Sequence, residues 1–225
     1  MRTIHLAAFA VGLLALSVAN ATAETSPILN IIEVQKLVAS ETPSDHARLA
    51  AHFSALADQS ASEAKQHDRM SNAFGGNPSR QLGASMSVHC NQLAKLNREA
   101  AVTLGELAAH HNKIAGGLPS TLPPNAAAYQ SGKGARVPSG TDLRDLAAKA
   151  STAADHRALM EYFNETAKRH TVTGDEHVRM AQSYRGTKIG SAAAHCDRMV
   201  TLSRDAAKEA TAAALMHKDL AGVAR

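Results

Sequence analysis

"TPSDHARLAAHFSALADQSASEAKQHDRMSNAF", Thr42 to Phe74, lies without a gap on "TAADHRALMEYFNETAKRHTVTGDEHVRMAQSY", Thr152 to Tyr184. His46 falls on His156, Phe53 on Phe163, His67 on His177 and Met70 on Met180. A turn shortened by four residues in the second copy then aligns "HCNQLAKLNREAA" with "HCDRMVTLSRDAA" and carries His111 onto His217. Self-similarity of this extent makes the repeat the unit of the fold.

Each copy reads as two helices. Thr42 with Asp45, and Thr152 with Asp155, have the spacing of an N-cap and its N3 partner, and Pro43 suits a first helical position. "GGNPSR" and "RGTKIG" supply turn chemistry between the helices, and Gly116-Gly117 closes the second helix of the first copy. The chain therefore divides into a first helical-hairpin repeat over 24–117, a Gly/Pro/Ser-rich linker over 118–140 and a second repeat over 141–225. The fold class is all-α: two homologous antiparallel αα-hairpins forming a four-helix bundle, with "ILNIIEVQKLV" as a short N-terminal helix. Two separate hairpins, each dimerising with another chain, are the alternative, and the oligomeric state stays open.

Residues 1–23, "MRTIHLAAFAVGLLALSVANATA", have the basic start, apolar stretch and small-residue end of a secretory signal peptide. Cleavage near Ala23 places the protein in the periplasm or outside the cell. No later stretch approaches the roughly 20 apolar residues of a permanent membrane span. Removal of Arg2 takes the formal charge from +4 to about +3. With no Lys/Arg run and 3% aromatic residues, the chain lacks the basic grooves and stacking platforms of a nucleic-acid partner. Alanine supplies the largest share of the 44% hydrophobic residues, so the larger Leu, Met, Phe and His side chains mark the helix seams.

Counting in heptads puts His46, Phe53, Ser60, His67 and Phe74 on one stripe of the first helix, and Cys90, Asn97, Leu104 and His111 on one stripe of the second. Residues equidistant from the turn of an antiparallel hairpin share a height. His46 thus faces His111, and His67 faces Cys90. In the second copy His156 faces His217, His177 faces Cys196 and His170 faces Ser203.

Imidazole, thiolate and thioether together form a donor set for Cu(I), Cu(II) or Zn(II). If both turns lie at one end of the bundle, His67, Cys90, His177 and Cys196 form a Cys2His2 site, with Met70, Met180, His89 and His195 as reserve ligands. His46, His111, His156 and His217 then form an all-histidine site at the other end. These residues point to an exported transition-metal-binding protein, copper first and zinc second, for storage, buffering, delivery or sensing. Its partners are the ion and a periplasmic metal-accepting protein.

A haem-b electron-transfer bundle with axial seam histidines is one alternative; Cys-x-x-Cys-His is absent, which excludes covalent attachment. A metal-free helical interaction module with a Cys90–Cys196 disulfide is the other. Gly-x-Ser-x-Gly, His-Glu-x-x-His and the Glu-x-x-His pairs of di-iron enzymes are also absent, so no enzymatic activity or catalytic residue is expected. His52, His110 and His170 lack histidine counterparts and read as solvated or locally bonded, with His170, on the seam, the exception.

Overall fold

The computed structural model describes residues 28–78, 80–116 and 140–224. The signal-peptide reading of 1–23 and the linker up to residue 139 lie outside the described residues. The described residues form six helices and no strand: α1 (Ile31–Ala39), α2 (Pro43–Gly75), α3 (Arg80–Ile114), α4 (Gly140–Lys149), α5 (Ala153–Tyr184) and α6 (Ala192–Val223). No helix among them is long and apolar enough to cross a membrane.

The helices begin where the capping residues stand. The Asp45 backbone N–H donates to Thr42 Oγ1, and the Asp155 N–H donates to Thr152 Oγ1, each at 3.2 Å. Asp155 also accepts from the Thr152 backbone N–H at 3.0 Å, completing a reciprocal capping box. Asn30 and Glu33 make a second such box ahead of α1. Gly116 (φ 67°) and Gly186 (φ 87°) take left-handed conformations just past α3 and α5, where a Cβ would be strained.

α2 packs along α3, α5 along α6, and α3 along α6. Each pairing is antiparallel. His46, near the start of α2, meets His111 near the end of α3, while Ser71 and Ser87 each donate a hydroxyl proton to the other's carbonyl beside the turn. Between α3 and α6, His89 pairs with Glu209 and Glu106 with His195. That last register fixes the arrangement: the α2–α3 turn lies against the open end of α5–α6, and the α5–α6 turn against the open end of α2–α3. The arrangement with both turns at one end does not form.

No Cα of α2 comes within 8 Å of a Cα of α5 among the described residues. α1 and α4 bridge the gap, each touching both long helices. α1 sits toward the start of α2, where Gln35 Nε2 donates to Ser183 Oγ at 3.4 Å. α4 sits toward its end, where Asn77 Nδ2 donates to the Ala147 carbonyl at 3.1 Å.

α4 is an element beyond the helices expected from the sequence, which places the linker over 118–140 and the second hairpin over 141–225. Its ten residues carry two leucines amid charged and small residues, too weak a period to separate from a loop. Each copy therefore consists of a short helix followed by two long ones. Leu143 of α4 is fully buried. Leu143→Ala should cost about 3 kcal/mol by the usual cavity term, read as a shift in the urea midpoint at unchanged slope. A loss below about 1 kcal/mol would mean that α4 is not docked.

Candidate functional site

The histidine pairs read from the heptads meet. His46 Nδ1 lies 3.0 Å from His111 Nδ1, and His156 Nδ1 lies 3.3 Å from His217 Nδ1. Both pairs of rings are stacked, with centroids 5.2 and 5.5 Å apart. All four side chains are buried. Between neutral rings one Nδ1–H donates and the other Nδ1 accepts. Burial is the largest cause in every case, holding His111 and His217 down to about 3 and lowering His46 and His156 from the ordinary imidazole value.

The opposed turns split the all-histidine set into these two pairs, one at each end of the molecule. Each pair is closed by an aromatic ring from the other copy. Tyr184, at the end of α5, lies over His111 with centroids 5.7 Å apart, and its hydroxyl is 2.7 Å from His111 Nε2. Phe74, its counterpart at the end of α2, lies 5.8 Å from His217 and has no hydroxyl, so His217 Nε2 is left without a hydrogen-bond partner. Phe53 and Phe163 stack on His111 and His217 from within their own copies. Sequence reasoning missed the tyrosine, although Phe74 over Tyr184 was the one visible departure in that aligned column.

The Cys2His2 set does not assemble either. His89, next to Cys90, holds Glu209 at 2.6 Å, and His195, next to Cys196, lies 3.5 Å from Glu106. Cys90 and Cys196 therefore sit at different heights, separated by roughly 20 Å of helix at 1.5 Å per residue. Both are free thiols, so the disulfide is not formed. Burial raises both above their ordinary value, Cys196 to about 12, and this disfavours the thiolate a metal needs. His89 and His195 are engaged with carboxylates across the α3–α6 seam. Met70 and Met180 are core residues within the apolar cluster.

His67 and His177 are buried, each with an Nδ1 that has no partner. Their neighbours differ between the two ends. His67 lies by the ring of Tyr162 at 6.2 Å, whereas the residue equivalent to Tyr162 in the first copy is His52, near enough to His177 for the two rings to disfavour each other's charge. His52 is thus not solvated: it is 3% exposed, and its Nδ1 accepts the Leu29 backbone N–H at 3.0 Å. His110 and His170 are half-buried, each with an unpartnered Nε2. Among the described residues no group of three or more His, Cys, Asp or Glu is arranged to hold a metal ion. Neither a protein-family model, nor a curated protein, nor a solved structure matches the chain.

The asymmetry between the pairs is testable. Tyr184→Phe should destabilise by about 1–2 kcal/mol, because it strands His111 Nε2 in the interior. Phe74→Tyr should add a partner for His217 and stabilise by up to about 1 kcal/mol; equal effects of the two changes in denaturant unfolding would refute the assignment.

The pH dependence follows from the lowered values. Burial holds His52, His67, His111 and His217 to about 3 and His177 to about 4, whereas an unfolded histidine titrates near 6.5. The unfolded chain therefore binds more protons below about pH 6.5, and stability falls from there down toward pH 3 to 4. Melting temperature should be flat from pH 8 to 7 and decline steadily below 6.5. His67→Phe should show a shallower decline.

Proposed function

We propose that the protein binds transition metal ions, copper or zinc, at its two buried histidine pairs, His46/His111 and His156/His217. The observation that supports this is the separation of the facing nitrogens, 3.0 and 3.3 Å, repeated in both copies. Two imidazole nitrogens bound to one tetrahedral ion at about 2.0–2.1 Å stand about 3.3 Å apart. Replacing the shared proton by an ion requires the two rings to turn until both Nδ1 lone pairs converge on it. The Tyr184 hydroxyl at His111 Nε2 is the kind of outer partner that orients a ligating ring.

The donor set is refined from the sequence expectation. With both thiols held protonated, the pairs offer two nitrogens each, which suits Zn(II) and Cu(II) rather than Cu(I). Two nitrogens fill half of a tetrahedral shell, so water must complete it within the closed site, and the role is storage, buffering, delivery or sensing. The scaffold in this reading is two homologous αα-hairpins closed as a four-helix bundle, exported after cleavage near Ala23. The role is binding, not catalysis, and the partner is a metal-accepting protein of the same compartment.

Metal content by plasma mass spectrometry, on protein isolated without chelators, combined with titration of Zn(II) and Cu(II), tests the reading. About two equivalents should bind per chain. His46→Ala with His217→Ala should lose both, and His67→Ala with His177→Ala should retain both. Unaltered binding after the first pair of changes would sink the proposal, and bound iron with a visible absorption band would favour haem b.

A further inference from the structure

The gap that α1 and α4 leave between α2 and α5 is a cavity of about 560 Å³, within the range of small-molecule sites. It lies midway along the molecule. Its floor comes from α3 and α6, where Leu96, Ala100, Leu104, Met199, Leu202 and Ala206 are apolar. Its walls come from α2 and α5 and are polar, with Ser60 and Glu63 on one side and Thr173 and Glu176 on the other. The division follows from the fold, since the inner faces of α3 and α6 pack on each other while α2 and α5 stand apart.

Three imidazoles line the walls with unspent hydrogen-bonding capacity. His52 and His177 are 3% and 1% exposed, and His52 Nε2, His170 Nε2 and His177 Nδ1 have no partner. The tautomer of His52 is set by geometry. Because its Nδ1 accepts the Leu29 N–H, the neutral ring carries its proton on Nε2, a donor with no acceptor in the protein. A buried donor left unmet costs about 1–3 kcal/mol, so an acceptor supplied by a ligand has a stated gain. The same proton disqualifies His52 Nε2 as a metal ligand, consistent with the lack of any three-ligand group among the described residues.

The charge of the walls narrows the class. Glu33, Glu63, Glu165 and Glu176 line the cavity against Lys168 and Arg169, and Arg169 is engaged with Glu63 at 4.0 Å. An anion would meet a surplus of carboxylates. We propose that this cavity binds an uncharged or cationic amphipathic small molecule, its apolar body on the α3–α6 floor and a hydrogen-bond acceptor on His52. This site is separate from the histidine pairs and does not depend on metal.

Fluorescence titration of the full chain in excess chelator tests it with two probes. 6-Propionyl-2-(dimethylamino)naphthalene is uncharged and carries a carbonyl acceptor; 8-anilinonaphthalene-1-sulfonate has a similar aromatic body and a sulfonate. The ketone should bind at about one equivalent, at least tenfold more tightly than the sulfonate. Ser60→Trp, and separately Thr173→Trp from the opposite wall, should obstruct the cavity and weaken binding at least tenfold with the helical circular dichroism unchanged. His52→Leu should weaken the ketone about tenfold. The proposal is overturned by the absence of saturable ketone binding, by equal or tighter sulfonate binding, or by indifference to both tryptophans. Indifference to His52→Leu would overturn the assigned donor. Because chelator is present throughout, failure here leaves the metal reading untouched, and failure of metal binding leaves this one untouched.

Discussion

The antiparallel seating of α3 on α6 is the contact on which the rest of the structure depends. His89 meets Glu209 at one end and Glu106 meets His195 at the other, so the two helices lie head to tail. Once that register is set, the turn of each long-helix pair lies beside the open end of the other. The last aromatic of α2 and the last aromatic of α5 then cross over and cover the histidine pair of the opposite copy. The long outer helices are also forced apart, and two short helices fill what would otherwise be two exposed apolar seams. What remains between them is the central cavity.

Burying this many imidazoles is tolerable because they are neutral and because several supply one another's partners. A neutral imidazole has one donor and one acceptor, so two facing Nδ1 atoms satisfy each other with a single proton. The unsatisfied nitrogens are then informative. His217 Nε2 opposite Phe74, and the Nε2 atoms of His52, His110 and His170, lie where the two copies have diverged, whereas the equivalent His67 and His177 each keep an unpartnered Nδ1. The repeat thus keeps its paired histidines at both ends, while one end has gained a tyrosine hydroxyl and a third imidazole. The two ends are chemically unequal in a molecule whose backbone repeats itself.

How much of the site could be read in advance follows from which distances the chain controls. His46 with His111, and His156 with His217, are equidistant from a short turn, and the helix rise converts that equality into equal height. Nothing comparable ties one hairpin to the other across a long linker. Pairing within each copy is therefore legible in the chain, whereas the four-residue sets that require both turns at one end do not form. The expectation that His52 is solvated or locally bonded rests on its lack of a histidine counterpart in the other copy. Its hydrogen-bond partner is Leu29, just ahead of α1, and the position of that segment on α2 and α5 is not encoded in the local pattern of either.

Helix content, the capped starts at Thr42 and Thr152, and the histidine pairing within each copy were determined by the residues themselves, since these rest on contacts between near neighbours or across a tight turn. The relative direction of the two helix pairs, the separation of Cys90 from Cys196, the docking of α4 and the cavity between α2 and α5 were decided only in the tertiary structure. The reason is physical: alanine-rich faces pack almost equally well in either direction, and the choice falls to a few charged and aromatic side chains far apart in the chain. The contacts of His89 with Glu209 and of His195 with Glu106 mark the direction adopted here, and what the two ends hold follows from that direction.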